Sequence, residues 1–263
     1  MLRLLLLFLF LPVPGEAAAY PLRVSGQGLF GNRSYAKLFR TKVDGAIATI
    51  KGLDMPFDES VLSIDVQFTD GVIERSALNT DMRVVYSGGK LVEAGIAFVF
   101  PTSMSADEAS ALILHEVGHL PFEMLKREER VARGVPSFLP GYVELWCDAL
   151  AVTEMGDKDI VARALSKWVA AMGGGGSGYD FRRFSVSRDA ASWDMRDDHV
   201  RFTPVRFYVG RLMDGGDEVL SVLFAASIDS ASWEVERMLA GDIAGVGAAN
   251  VRLISALRSK AGL

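Results

Sequence analysis

His115, Glu116 and His119 stand in the run His-Glu-Val-Gly-His, and the spacing of the two histidines has a direct physical meaning. On an α-helix, residues four apart lie one above the other on the same face. Two imidazole nitrogens so placed can share one Zn²⁺ ion at about 2.0–2.1 Å. Glu116 is displaced round the helix, close to the metal but not on it, where it can take a proton from a water that the metal has acidified. Histidine is scarce here: His115, His119 and His199 are the only three in 263 residues. The pattern is therefore not a by-product of composition.

A catalytic zinc ion takes three protein ligands and keeps one position open. Leu120 to Lys126 holds no third histidine. Glu144 and Asp148, however, are spaced four apart in one of the most apolar stretches of the chain, Val143 to Val152. Carboxylates in such surroundings are costly to bury unless they are paired or metal-bound. One can complete the ligand set, and Glu144 is favoured for it. The other can accept the far N–H of a ligand histidine and fix the orientation of its ring.

His199 lies in Asp197-Asp198-His199-Val200-Arg201 and has two readings. It is either a surface histidine in a charged loop or a catalytic donor to the oxyanion of a tetrahedral intermediate. It is also the alternative third ligand in place of Glu144. Arg201, Tyr142 and Tyr179 are further candidate donors without a spacing signal.

The elements that position these residues are legible in outline. Ser34 to Leu53 has apolar residues at helical spacing, and Val61 to Phe68 alternates as a half-buried strand. Two more strands are expected around Met82 to Tyr86 and Leu91 to Phe100, with Ser87-Gly88-Gly89-Lys90 as the hairpin turn between them. Tyr20 to Asn32 reads as irregular. Ser105-Ala106-Asp107-Glu108 is a capping box opening the motif helix, which Pro121 should end near Leu120. Lys126 to Arg133 reads as a charged surface stretch and Gly134 to Gly141 as a loop. Helices are expected over Tyr142 to Met155 and Asp157 to Met172, then a glycine-rich linker, Gly173 to Gly178. Shorter helical patterns follow, including Glu218 to Ser227 and Ala248 to Leu257. The fold class is α+β, a small and mostly antiparallel sheet followed by helices, with residues 20–172 as the core and 173–263 as a helical C-terminal subdomain packed on it.

The combination of His-Glu-x-x-His and a downstream Glu-x-x-x-Asp helix resembles the gluzincin metallopeptidases, over about Ser105 to Met155. That resemblance implies a zincin-like fold and Zn²⁺ held by His115, His119 and Glu144. It also implies Glu116 as general base, Asp148 supporting His115, and a peptide or protein as substrate. Leu91 to Phe100 is then the expected sheet edge for pairing with an extended substrate. A competing reading is a catalytically inactive, secreted zinc-binding interaction domain, which would keep the ligands without needing Glu116. A helical export protein with a purely structural role is a third.

Composition narrows the partners. The net charge is -5 and charged residues make up 23% of the chain, with no basic stripe of the kind nucleic-acid binding requires. Met1 to Ala19 has a positive start, an unbroken apolar run from Leu4 to Leu11, helix breakers, and Ala17-Ala18-Ala19 as a small-residue cleavage pattern. The run is too short to span a bilayer. The expectation is a signal peptide cut near Ala19, a secreted or periplasmic protein, and no transmembrane segment in the mature chain. Cys147 is the sole cysteine, so an internal disulfide is excluded.

Overall fold

The structure, a computed structural model, describes residues 20–26, 32–71, 73, 82–124, 139–174, 179–216 and 218–262. The signal-peptide segment, Lys126 to Arg133, residues 134–138 and residues 175–178 lie outside the described residues.

Strand β1 (Leu22–Gly26) is followed by helix α1 (Asn32–Gly52) and strand β2 (Leu62–Thr69), and the two strands pair in parallel, Val24 against Val66. Strands β3 (Arg83–Ser87) and β4 (Lys90–Pro101) form the expected hairpin. Its turn places Gly88 at φ 57° and Gly89 at φ 76°, the left-handed pair that a tight right-twisted hairpin demands and that glycine adopts without strain. The sheet order is β1-β2-β4-β3, and β4 runs parallel to β2.

Two of the three strand pairs are therefore parallel, against the expectation of a mostly antiparallel sheet. The cause is twofold. Tyr20 to Asn32, read as irregular, contains β1, and α1 supplies the crossover that a parallel neighbour needs. Strand β4 is also interior, flanked by β2 and β3, so the sheet edge expected at Leu91 to Phe100 lies instead at β3.

One face of the sheet is apolar. Leu62, Ile64, Val66 and Phe68 alternate inward on β2, as do Ala94, Ile96, Phe98 and Phe100 on β4. Helix α2 (Ala106–Met124) packs against the sheet and α1 and is buried on almost every side. Its capping box is formed in both directions. The Glu108 N–H donates to Ser105 Oγ at 3.2 Å, and the Ser105 N–H donates to Glu108 Oε2 at 2.9 Å.

The helix does not stop at Leu120. It continues through Pro121 to Met124, because Leu120, Pro121 and Phe122 are buried and Phe122 meets Trp146 edge-on at 5.5 Å. Packing of that last turn outweighs the hydrogen bond that Pro121 cannot donate.

Helix α3 (Pro140–Met155) begins with proline in its first turn and ends at Gly156, left-handed at φ 68°. Helix α4 (Ile160–Ala171) follows, then a 3₁₀ turn (Asp180–Arg182) and helices α5 (Thr203–Met213), α6 (Val219–Leu239) and α7 (Val246–Lys260). The last two run well past the expected patterns at Glu218 to Ser227 and Ala248 to Leu257. Helix α6 packs on α3 and α7 on α6, so a single apolar core extends from Tyr20 to Leu257. The class is α+β. Among the described residues, no helix is long and apolar enough to cross a membrane.

Candidate metal centre

Helices α2 and α3 bring the two halves of the sequence pattern together. His115 and His119 leave α2 one turn apart, with their Nε2 atoms 3.3 Å from each other. From α3, Glu144 presents Oε2 at 3.3 Å from His115 Nε2 and Oε1 at 3.5 Å from His119 Nε2. The three side chains form a group that can hold a metal ion. Four donors placed tetrahedrally at about 2.0–2.1 Å from a common centre lie about 3.3–3.4 Å apart. The Nε2–Nε2 separation is of that size, and each imidazole lies at a similar distance from one of the two Glu144 oxygens.

The approach of the helices depends on a missing side chain. Gly118, between Glu116 and His119 in the motif, lies against Cys147 of α3, and a Cβ there would meet the Cys147 sulfur at 3.0 Å and its Cα at 3.2 Å.

Asp148, one turn after Glu144, is wholly buried, with Oδ1 2.9 Å from His115 Nδ1. The contact is bent away from an ideal hydrogen-bond line. Two cations that the sequence pattern did not single out surround this carboxylate. Arg182, from the 3₁₀ turn, donates Nη1–H to Asp148 Oδ1 at 2.6 Å and Nη2–H to Glu144 Oε2 at 3.2 Å. Arg206, from α5, donates Nε–H and Nη2–H to Asp148 Oδ2 at 3.0 and 2.5 Å. No spacing rule relates these arginines to the motif. The available signal was indirect: two acids on an apolar helix require counter-charge from somewhere.

Electrostatics separates the roles of the groups. Burial disfavours a charge on His115, but hydrogen bonds and attraction from Asp148 and Glu144 together outweigh it and raise the imidazole to about 10. For His119, burial and then the neighbouring His115 charge both act downward, to about 4. Burial drives Glu116 up to about 7, with the Glu144 charge adding to the effect. Glu144 and Asp148 move the other way. Burial opposes their charge, but His115 and the arginines hold both carboxyls well below the usual range.

The group lies in a cleft of about 540 Å³ lined by His115, Glu116, His119, Glu144 and, on the far side, Tyr179, Asp197 and His199. Phe98, Leu112, Leu165 and Trp168 give it an apolar wall. The His199 side chain is 54% exposed, and its Nε2 stands 3.7 Å from Glu144 Oε1. Its Nδ1 is 3.1 Å from Asp197 Oδ1. It is not within ligand distance of the whole group, and Glu144 occupies the third corner. Of the other candidate donors, Tyr179 faces the cleft. Tyr142 packs on Phe202, at 4.4 Å between rings, and Arg201 is paired with Glu234 at 2.6 Å.

Comparison with protein-family models, with curated proteins and with solved structures returned no match.

Proposed function

We propose that this chain is a zinc-dependent peptide-bond hydrolase with a gluzincin-type site on a zincin-like fold. The observation that carries the reading is the convergence of His115, His119 and Glu144, one ligand atom of each lying within 4.8 Å of the others, with the two imidazole Nε2 atoms 3.3 Å apart and each within 3.5 Å of a Glu144 oxygen. Two imidazoles and one carboxylate are a donor set characteristic of catalytic zinc, and the cleft lies against the same side chains.

A bound zinc ion would supply Lewis acidity, polarising the substrate carbonyl and acidifying the attacking water. The remaining work falls to the protein. Glu116, next to His115 and lining the same cleft, would accept a proton from that water and hand it to the leaving amine. Asp148 orients His115 through Nδ1. His199, whose Nδ1 lies 3.1 Å from Asp197 Oδ1, would donate to the oxyanion as charge develops there. The presence of Glu116 and an open cleft favours an enzyme over a zinc-binding interaction domain, which would need neither. The leader-like pattern of Met1 to Ala19 supports a site of action outside the cytoplasm.

Glu116→Gln is the deciding variant. It should retain zinc at one ion per chain, measured by metal analysis, and lose hydrolysis of unfolded casein or a fluorogenic peptide mixture by at least about a hundredfold. A variant that cleaves as fast as the parent protein would overturn the mechanism.

A further inference from the structure

Arg206 is 0% exposed, on helix α5, which packs against α3. A guanidinium so placed must be paired, because an uncompensated buried charge is severely destabilising. Its pairing is unusual in reach. Two of its N–H groups converge on Asp148 Oδ2, while Nη2 also donates to the main-chain carbonyl of His199 at 3.1 Å. The other Asp148 oxygen faces His115. One side chain therefore joins the support of a metal ligand to the backbone of the residue that overhangs the ligand group.

The surroundings show that the other anchors of this segment lead elsewhere. The carbonyl of Val200 accepts from Trp193 Nε1 and Thr203 Oγ1, and that of Arg201 accepts from Asn250. Those bonds tie the segment to itself and to α7. Among the described residues, only the bond from Arg206 ties the main chain of His199 to Asp148.

We propose that Arg206 is a positioning residue for the hydrolytic reaction, setting the His199 imidazole beside Glu144 by bridging Asp148 and the His199 carbonyl. The inference rests on the peptidase reading above. Arginine is required because its planar fork can serve a carboxylate and a carbonyl at once, whereas a lysine ammonium at that depth can neutralise Asp148 but cannot span both acceptors in the same geometry.

The test is a double-mutant cycle of Arg206→Lys with His199→Ala in the zinc-loaded protein, read as kcat on a fluorogenic peptide mixture. Arg206→Lys should keep one zinc per chain and lower kcat by roughly tenfold, since displacement of a catalytic group by about 1 Å has effects of that order or larger. In the His199→Ala background the same change should cost less than about twofold, because the group it positions is gone. Equal losses in both backgrounds would show a structural role alone and overturn the proposal.

A second measurement needs no substrate. With Co²⁺ in place of zinc, the paramagnetically shifted His199 ring resonance should move in Arg206→Lys while those of His115 and His119 stay. An unmoved His199 signal would also overturn it. If the parent protein binds zinc and hydrolyses nothing, the peptidase reading fails, and the Co²⁺ spectrum still decides what Arg206 holds. Should the lysine variant not fold, Arg206→Gln takes its place in both measurements.

Discussion

Gly118 and Cys147 meet across the α2–α3 interface so closely that even one added carbon on the glycine would stand 3.0 Å from the sulfur and 3.2 Å from the cysteine Cα. The first contact could be relieved by the side chain, but the second involves backbone. Gly118→Ala is therefore expected to force the helices apart and to cost about 1–3 kcal/mol in stability, the usual range for overpacking. Zinc affinity should fall with it, since His119 and Glu144 sit on opposite sides of the contact. Chemical denaturation and a competitive zinc titration check both. Adding Cys147→Ala should recover only part of the loss.

Glu116 makes the metal-free protein sensitive to pH in a defined direction. Its folded-state carboxyl titrates at about 7 against an ordinary value of 4.5, so the folded chain holds the proton more tightly than the unfolded chain. The corresponding stability is complete below about 4.5 and is lost as pH rises through about 7. Glu116→Gln stays neutral throughout. In the presence of a chelator it should match the parent protein at pH 4.5 and exceed it at pH 8, by at most about 3 kcal/mol, less what solvent in the open cleft returns. Denaturation curves at the two pH values measure this directly.

Metal binding should expel a proton. In the metal-free site His115 titrates at about 10 and His119 at about 4, so near pH 8.5 the first is charged and the second is neutral. Coordination requires both imidazoles neutral. Calorimetric zinc titrations in buffers of different ionisation enthalpy should report release of at least about one proton per ion at pH 8.5, ionisation of a zinc-bound water adding to the one from His115. Release of none would place the charge on His115 in error.

Arg182 is the common partner of the two α3 carboxylates. Arg182→Met fills a similar volume but leaves Glu144 without its guanidinium and Asp148 with only Arg206 and His115. Removing one partner of a buried pair generally costs about 3–5 kcal/mol. The expected result is a loss of that size in the metal-free protein, partly restored by saturating zinc, which replaces the positive charge next to Glu144. Thermal midpoints with and without zinc distinguish the two states.

The parts of this molecule that could be read in advance were those encoded locally. The capping box at Ser105, the glycine turn at Gly88 and the alternation along β2 each depend on neighbours within a few residues, and each appears where the residues place it. The directions of the strands do not depend on such neighbours. Strand β1 is only five residues long, and its parallel pairing follows from the path of α1, a tertiary matter.

Pro121 shows the same limit from the other side, because a local rule was overridden by the burial of Phe122. In the site, His115, His119, Glu144 and Asp148 were recognisable because each pair is spaced by one helical turn. Arg182 and Arg206 reach Asp148 from 34 and 58 residues away, with no periodicity to announce them.

His119 and Glu144 stand 25 positions apart in a chain whose sole cysteine, Cys147, is buried and unpaired. An ion bound to both would close the intervening peptide into a ring, a crosslink made of coordination bonds where no sulfur bridge can form. A single cut within that ring would then leave the two pieces tethered through the ion. Stripping the metal would remove that tether and leave a nicked molecule held only by the packing of α2 on α3 and the shared core.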